Sequence, residues 1–289
     1  MSHLRTTAWG RHAYDRAARD YDARHGEIFN EIEQARLAGA VREALAAVRD
    51  APVDAPVVVA SDARGREVRA LDVGAGTGNL TRQLLACGAR VTAADVSPVC
   101  LALVHVRFPD RERVALALLD GKGLGGFGDG TFDLSACYSV LHHVPDYLAL
   151  VREMARIVRP GGVVYLDHER HDASWAPSPE RDAFLREAVV WPARTWRRFL
   201  RPAAWWRRVR PMLAWRRWLN PRWMPEGDLH IWPDDHIEWP EVEAALAGCG
   251  VRKVVERDYL LYEPRYARDV WERWKDRVTD YRMWIGRKA

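Results

Sequence analysis

Three glycines at alternate positions follow an apolar run near residue 70. Gly74, Gly76 and Gly78 stand in residues 71–78 (LDVGAGTG), and Asn79 follows. Because glycine has no Cβ, the backbone turns tightly and its N–H groups approach a ligand, with the N-terminus of the next helix behind them. The dinucleotide-binding spacing is G-x-G-x-x-G, and a phosphate loop ends in Lys-Ser/Thr. Neither pattern fits here, so the loop predicts a different nucleotide-like ligand.

An aspartate ends the apolar run that comes after this loop. Asp95 follows residues 91–94, 17 residues beyond Gly78. In nucleotide-binding α/β folds, a carboxylate at this place accepts hydrogen bonds from ribose hydroxyls. The alternative role is capping of the next helix, but Ser97 stands directly before Pro98 and suits that role better. We therefore predict that Asp95 binds a ribose and that Ser97 caps the helix.

Five motifs in order resemble class I S-adenosylmethionine (SAM)-dependent methyltransferases, particularly small-molecule enzymes of the ubiquinone/menaquinone-biosynthesis type. The first motif is the glycine loop 71–78, and the second is Asp95. Residues 118–121 (LLDG) resemble the third motif, in which an acidic residue meets the adenine amino group. Residues 132–146 resemble the fourth, and residues 159–162 (RPGG) resemble the turn that follows it. Together the five motifs are far more specific than any one of them.

The resemblance implies an α/β fold with SAM as cofactor and S-adenosylhomocysteine as product. The implied architecture is a Rossmann-like, seven-stranded, mostly parallel sheet with helices on both faces, plus a helical cap insertion. The resemblance covers residues 69–168 well and residues 240–289 loosely. The predicted cofactor-binding residues are Asp72, Gly74, Ala75, Gly76, Thr77, Gly78, Asn79, Asp95, Val96, Leu119, Asp120, Gly121 and Tyr138.

Methyl transfer from a sulfonium is an in-line displacement, so the protein mainly positions the reactants and excludes water. A general base helps when the acceptor is a hydroxyl or a protonated amine. Four side chains at the ends of predicted strands are candidates, namely His142, His143, His168 and Glu169. Histidine suits this role because its ordinary pKa is about 6.5. Our working hypothesis places His143 at the methyl group, and the alternative is that His142 and His143 only pack at a helix start.

Strand and helix patterns alternate along much of the chain, which predicts a parallel sheet covered on both faces. Strands are predicted at 69–73, 90–94, 113–118, 132–138, 162–167, 251–259 and 281–287. Helices are predicted at 24–49, 79–87, 98–107, 146–158, 240–248 and 264–278. A turn is expected at residues 160–162 (PGG), directly before the fifth strand.

The composition suits one large domain with an insertion, because the chain has 289 residues and 48% of them are apolar. The four cysteines form no CxxC pair, so neither a zinc site nor a disulfide framework is indicated. The start of the chain has no signal-peptide pattern, and we predict a cytoplasmic protein. The predicted parts are an N-terminal helical cap (1–56), a SAM-binding core (57–169), a Trp/Arg-rich substrate cap (170–239) and the closing elements of the core (240–289).

Arginine and tryptophan are concentrated in the predicted substrate cap. Ten arginines and no acidic residue lie between residues 188 and 225, and ten of the fourteen tryptophans lie between residues 175 and 239. Such a segment suits a lid over an apolar or anionic acceptor, a contact with an anionic membrane surface, a nucleic-acid contact, or a packed cap with solvated arginines. The prolines within it favour a compact cap over one long amphipathic helix. The predicted substrate-binding residues are Tyr14, Tyr21, Trp191, Arg194 and His230.

The sequence therefore predicts a SAM-dependent methyltransferase of a small apolar or anionic acceptor that is lipid-linked, phosphorylated or sugar-bearing. The alternatives are a non-catalytic SAM- or nucleotide-binding module with a basic surface, and a nucleic-acid methyltransferase. An NAD-dependent oxidoreductase is disfavoured by the glycine spacing. The polar residues at 228–236 match no metal-site template, so no metal is predicted.

Overall fold

The computed structural model describes residues 15, 18–49, 67–190 and 237–289. Most of the predicted substrate cap lies outside these ranges. Four of the predicted substrate-binding residues also lie outside them, namely Tyr14, Trp191, Arg194 and His230.

The centre of the fold is a seven-stranded sheet. Its strands are β1 (Arg69–Val73), β2 (Arg90–Asp95), β3 (Val114–Leu118), β4 (Phe132–Tyr138), β5 (Val158–Arg170), β6 (Val251–Tyr259) and β7 (Tyr281–Lys288). Their order is β3-β2-β1-β4-β5-β7-β6, and β7 runs antiparallel to both of its neighbours. The pairs among β1 to β5 are parallel, so these strands all end at one edge of the sheet. The predicted seven-stranded, mostly parallel sheet is confirmed.

Helices cover both faces of the sheet. The longer helices are α1 (Glu31–Arg49), α2 (Asn79–Ala86), α3 (Pro98–Arg107), α4 (Tyr147–Ile157), α5 (Pro179–Ala188), α6 (Trp239–Gly248) and α7 (Arg268–Trp274). Leu37 of α1 and Leu84 of α2 share one apolar core with Tyr165 of β5. Met154 of α4 belongs to a second apolar core together with Leu166, the next residue of β5. Neighbouring strand residues point to opposite faces, so β5 serves both cores and is apolar throughout its middle.

The first long helix begins later than predicted. The sequence pattern predicts one helix over 24–49, but α1 starts at Glu31. The side chain of Asn30 accepts a hydrogen bond from the N–H of Glu33 at 2.9 Å, which is the geometry of an N-cap. Its amide nitrogen also donates to the carbonyls of Gly26 and Glu27, so the preceding turn is closed on itself.

Two other predicted boundaries also differ. The predicted turn at residues 160–162 lies inside β5, where the pairing with β4 shifts register and Gly161 takes a φ of +75°. The predicted helix at 264–278 is confined to α7, because Tyr266 forms an isolated bridge with Val189 before the helix begins.

Among the described residues, no helix combines the length and the apolar character needed to cross a membrane. Within the same ranges, no group of three or more His, Cys, Asp or Glu side chains is arranged to hold a metal ion.

Candidate functional site

The glycine loop lies at the edge where the parallel strands end. It follows β1, and the N–H groups of Gly74 and Ala75 donate to the carbonyl of Ala94 at the end of β2, at 2.8 and 3.0 Å. Gly74, Gly76 and Gly78 have φ angles of +70°, +52° and +92°. Side-chain-bearing residues rarely adopt such angles, so glycine is required by the backbone path. Open α/β sheets bind their ligands at this edge.

The Asp95 carboxylate is held between two backbone N–H groups. One oxygen accepts from Gly76 at 2.8 Å and the other from Ser97 at 2.7 Å. Burial raises the pKa of Asp95, and the two N–H groups oppose that rise. Ser97 caps α3 as predicted, since its hydroxyl accepts from the N–H of Cys100 at 3.1 Å. Asp95 is therefore free of the capping role and is fixed against the glycine loop.

The end of the loop offers a buried amide to a ligand. The side-chain oxygen of Asn79 accepts from Gln34 at 2.9 Å, whereas its buried Nδ2 has no hydrogen-bond partner within the described ranges. A buried donor without a partner costs about 1–3 kcal/mol. The carboxylate of the SAM methionine moiety would satisfy such a donor, so the loop, Asp95 and Asn79 fit this cofactor.

The segment before α1 lies over the glycine loop. Thr77 donates its hydroxyl to Asp22 at 2.6 Å, and Arg107 pairs with the same carboxylate at 2.7 Å. Asp15 accepts a hydrogen bond from the hydroxyl of Ser97 at 2.5 Å. The predicted substrate residue Tyr21 stacks on the ring of His25, with 4.1 Å between centroids.

A cleft of about 300 Å³ borders the loop on the side of α3. It is lined by Asp22, Phe29, Gly78, Asn79, Arg82, Arg107 and Phe108. Asp95 is not among these residues, so the cleft forms at most one end of a site for a ligand that also reaches Asp95.

The other predicted cofactor residues lie at the ends of β2, β3 and β4. Val96 directly follows β2, and Leu119 donates its N–H to the carbonyl of Asp95 at 2.8 Å. Asp120 and Gly121 are exposed beyond β3. Tyr138 ends β4, is buried, and donates its hydroxyl to Glu33 at 2.8 Å. A direct contact of each with SAM stays a prediction.

Glu169 connects the ends of β4 and β5 at the candidate acceptor side. One carboxylate oxygen accepts from the N–H groups of Val140 and Leu141 at 2.8 and 2.7 Å. The other accepts from Nδ1 of His142 at 2.7 Å. Both oxygens of the buried Glu169 carboxylate are thus engaged, and they hold in place the turn that carries the histidines.

His142 and His143 lie on a short helical turn, Leu141–His143, next to the glycine loop. Their ring centroids are 3.9 Å apart. Val140, directly before the turn, packs against Gly74 so closely that a Cβ there would lie 2.6 Å from a Val140 methyl group. The structure thus brings the histidine turn and the cofactor loop together.

A charged cluster beneath this site was not expected from the sequence. Arg36 bonds to Glu33 at 2.6 Å and to Asp167 at 3.0 Å, and both carboxylates are buried. Tyr165 and Tyr259 also donate to Asp167. Burial raises the pKa of Glu33, against the attraction of Arg36. The cluster fixes α1 to the ends of the central strands.

The family model described as Methyltransferase domain matches residues 71–166. A ubiquinone biosynthesis O-methyltransferase of Xanthomonas campestris pv. campestris (strain B100) is 30% identical over 142 residues, covering 47% of this chain and 59% of that protein. One from Alkalilimnicola ehrlichii is 31% identical over 137 residues, covering 47% and 56%. The chain thus spans a little over half the length of these relatives.

The fold also resembles a solved structure over nearly its whole length. The crystal structure of an S-adenosylmethionine-dependent methyltransferase from Mesorhizobium loti aligns with a TM-score of 0.52 and 20% identity, covering 86% of this chain and 98% of that one. The order and direction of the strands and the glycine loop after β1 define a Rossmann-like fold. Residues 71–166 match a methyltransferase domain, and the chain is similar to ubiquinone biosynthesis O-methyltransferases over nearly half of its length.

We predict that Gly74→Ala destabilises the protein more than Gly76→Ala. Both substitutions place a side chain at positive φ, which costs about 1–2 kcal/mol. At Gly74 the new methyl also meets Val140 at 2.6 Å, whereas at Gly76 the nearest atom is 3.9 Å away. Overpacking adds about 1–3 kcal/mol at Gly74 alone. Thermal unfolding of the two variants without ligand measures the difference.

A second substitution separates the clash from the backbone strain. Val140→Ala removes the methyl groups that the new Cβ would meet, so it should restore part of the stability of Gly74→Ala and none of that of Gly76→Ala. If Val140→Ala changed the stability of Gly74→Ala and of Gly76→Ala equally, the close contact with Val140 would not be the reason that position 74 needs glycine.

We also predict a pH-dependent effect of Asp72→Asn. Asp72 accepts the hydroxyl of Thr81 at 2.5 Å, and burial raises its pKa to about 7. The pKa of Asp72 is higher in the folded protein than in the unfolded protein, so protonation of Asp72 stabilises the fold. This stabilisation is complete below the ordinary pKa near 3.8 and is lost as the pH rises through about 7. Asparagine does not titrate, so Asp72→Asn does not lose stability in this way as the pH rises. The free energy of unfolding of the variant, relative to that of the native protein, should therefore rise by up to about 3 kcal/mol between pH 5 and pH 8.

The melting temperatures of the two proteins across this pH range provide the test, with a shift of a few degrees expected. Asp146→Asn, at the exposed N-cap of α4, is the matched control for the loss of one carboxylate. The prediction would be wrong if Asp72→Asn and Asp146→Asn changed the melting temperature of the native protein by the same amount at every pH.

Proposed function

We propose that this chain transfers the methyl group of SAM to an oxygen atom of a small acceptor. The observation that carries the proposal is the carboxylate–histidine pair of Glu169 and His142 beside the glycine loop. When a carboxylate accepts from Nδ1, the imidazole is held in the tautomer whose Nε2 atom is the proton-accepting nitrogen. We therefore assign the role of base to His142. This differs from our initial hypothesis of His143, which stays a prediction to be tested beside it.

Bound SAM would supply an electrophilic methyl group on a sulfonium. The glycine loop, Asn79 and Asp95 would hold the cofactor through backbone N–H groups, the side-chain amide and the carboxylate. His142 would remove the proton of the acceptor hydroxyl, and Glu169 would stabilise the resulting imidazolium.

A phenolic or similarly acidic hydroxyl is the acceptor that suits this base. Phenols have a pKa near 10, within reach of a histidine that a carboxylate supports, whereas aliphatic alcohols are much weaker acids. The relatives named O-methyltransferases are consistent with an oxygen acceptor. The apolar or anionic remainder of the acceptor, in a lipid-linked, phosphorylated or sugar-bearing form, is proposed from the Trp/Arg-rich segment.

Calorimetry with SAM, S-adenosylhomocysteine and NAD tests the cofactor, and we expect the first two to bind and NAD not to bind. Release of S-adenosylhomocysteine with phenol and the three benzenediols then tests the acceptor, with aniline as the matched nitrogen acceptor. We expect turnover of the hydroxyl compounds. Turnover of aniline alone, or binding of NAD alone, would overturn the proposal. SAM binding without any turnover would exclude the phenolic acceptor and leave a non-catalytic module as the alternative.

We also propose peripheral contact of the arginine-rich segment with anionic membranes as an accompaniment of this activity. Each arginine near such a surface contributes on the order of 1 kcal/mol, and the attraction weakens with salt. Co-sedimentation with phosphatidylserine-containing vesicles at low salt, against phosphatidylcholine vesicles, measures it. Equal recovery with both vesicles would exclude an electrostatic contact, and a gel shift with tRNA would indicate a nucleic-acid partner instead.

A further inference from the structure

His168 is a buried histidine in an unusual backbone conformation. It lies near the end of β5, between Asp167 and Glu169, and only 5% of its surface is exposed. Its φ angle is +63°, in the left-handed region that residues other than glycine rarely adopt. The N–H of His168 donates to its neighbour Asp167 at 2.7 Å, which holds this conformation in place. Strain of this kind concentrates at sites that bind or transform ligands.

Neither ring nitrogen of His168 has a hydrogen-bond partner among the residues that the structure describes, although both are buried. The ring is nevertheless fixed in orientation. It stacks on Tyr138 with 4.7 Å between centroids and on Tyr281 with 4.4 Å, at 30° in each case. Stacking occupies the faces of the ring and leaves its polar edge for other contacts. Two unsatisfied nitrogens on a fixed ring are a costly arrangement that ligand binding would relieve.

The imidazole is neutral at physiological pH. Burial lowers the pKa of His168 well below its ordinary value, and the positive charge of Arg36 lowers it further. A neutral imidazole carries one N–H donor and one nitrogen acceptor. It therefore matches a hydroxyl group, which both donates and accepts, better than it matches a carboxylate or an ammonium group. His168 directly precedes Glu169, whose carboxylate bonds Nδ1 of the proposed base His142.

We propose that His168 is a specificity-determining residue that hydrogen-bonds a second hydroxyl of the acceptor, distinct from the hydroxyl that is methylated. This inference rests on the proposed function, because it assumes that the acceptor binds at the ends of β4 and β5. His142 and Glu169 act on the reacting hydroxyl, whereas His168 selects acceptors that carry a further one.

The charged cluster beneath the site supports this role by holding one stacking partner, Tyr138, and the backbone of His168. Tyr138 is held by its hydrogen bond to Glu33, and the Asp167 carboxylate that receives the N–H of His168 is also bonded to Arg36 and Tyr259. Such a network fixes the ring before the ligand arrives, which lowers the cost of binding.

The test compares phenol with catechol, resorcinol and hydroquinone in the native protein and in His168→Phe. Phenylalanine keeps an aromatic ring for stacking and removes both nitrogens. In the native protein, KM for the preferred benzenediol should be about tenfold below KM for phenol, which is the effect of one hydrogen bond. In His168→Phe this ratio should fall to about twofold or less. Retention of the full preference would overturn the proposal.

The melting temperature provides a readout that is independent of turnover. Removing two unsatisfied buried nitrogens should leave the melting temperature of His168→Phe unchanged or raise it. His171→Phe is the matched control, because His171 is also buried and its Nε2 is bonded to the Thr279 hydroxyl at 3.0 Å. That variant should lose several degrees and keep the KM ratio. An equal loss in His168→Phe would assign His168 a structural role and overturn the proposal.

Failure of the proposed function gives a different result. If the native protein methylates none of the four compounds, the phenolic acceptor is wrong, and the same ratio is measured as Kd by calorimetry in the presence of S-adenosylhomocysteine. A benzenediol preference that His168→Phe removes would support the inference without turnover. Absence of any preference in the native protein would overturn it.

Discussion

Glu169→Gln should lower kcat by about 10²–10³-fold while S-adenosylhomocysteine binding stays near its native value. The glutamine oxygen can still accept from the N–H groups of Val140 and Leu141, so the turn keeps its place. Its amide would donate to Nδ1 of His142, which forces the proton onto Nε2. The imidazole then presents a donor where a base is needed. The corresponding aspartate-to-asparagine change in a serine-protease triad costs about 10⁴ by the same tautomer effect.

Initial rates with saturating SAM and the preferred phenolic acceptor measure this loss. Glu153→Gln is the matched control, because Glu153 pairs with Arg156 on α4 at 2.7 Å, outside the proposed site. His142→Gln should cost about as much as Glu169→Gln, and the double variant little more than either, since the two residues act as a unit. Native turnover in Glu169→Gln would show that the pair does not provide the base.

The tautomer argument also separates His142 from His143. His143→Gln removes the ring that lies against His142 without touching the hydrogen bond to Glu169. We expect a reduction of less than about tenfold in kcat for this variant, because it leaves the carboxylate–histidine pair in place. A loss as large as that of His142→Gln, with Glu169→Gln near native, would restore our initial hypothesis.

The geometry of the candidate cofactor side could be predicted from the sequence because its signals are local. Glycine spacing, the residue that ends an apolar run and the Ser-Pro pair at a helix start each act over a few residues. The structure accordingly places Gly74, Gly76 and Asp95 together and confirms Ser97 as a cap. The seven strands were found for the same reason, since an apolar run bounded by turn residues is a short-range pattern.

The acceptor side was less predictable because it depends on contacts between distant residues. The place of Glu169 after a predicted strand makes it a candidate base, yet its contacts with Val140, Leu141 and His142 require the pairing of β4 with β5. This set of contacts is a tertiary property that no pattern along the chain contains.

One sequence signal of the acceptor side was present and was missed. Glu33 falls on the same face of α1 as Leu37, Ala40 and Ala44, at helical spacing. A carboxylate on a face that packs into the core needs a partner, because burial of an isolated charge is very costly. Its partner Arg36 lies three residues further along the same helix. The pattern could therefore have indicated a buried charged cluster, although not its location under His168.

Asp95→Asn should weaken binding of SAM and S-adenosylhomocysteine on the order of 10²-fold. The carboxylate of Asp95 already accepts from the N–H groups of Gly76 and Ser97, and its remaining lone pairs are those proposed for the ribose hydroxyls. Asparagine has one acceptor oxygen where aspartate has two. Its NH₂ group would therefore face either a backbone N–H donor or a ribose hydroxyl. Hydrogen bonds to a charged group contribute about 1.5–3 kcal/mol each, which accounts for a loss of this size.

Two controls separate ribose recognition from a distortion of the glycine loop. Asp110→Asn is the matched substitution, because Asp110 also accepts from two backbone N–H groups, those of Glu112 and Arg113, on an exposed turn. On the ligand side, the native protein should bind adenosine more tightly than 2′,3′-dideoxyadenosine, and Asp95→Asn should remove that difference. Equal weakening of both nucleosides would assign Asp95 to loop geometry alone, because a distorted loop does not distinguish a ribose with hydroxyls from one without them.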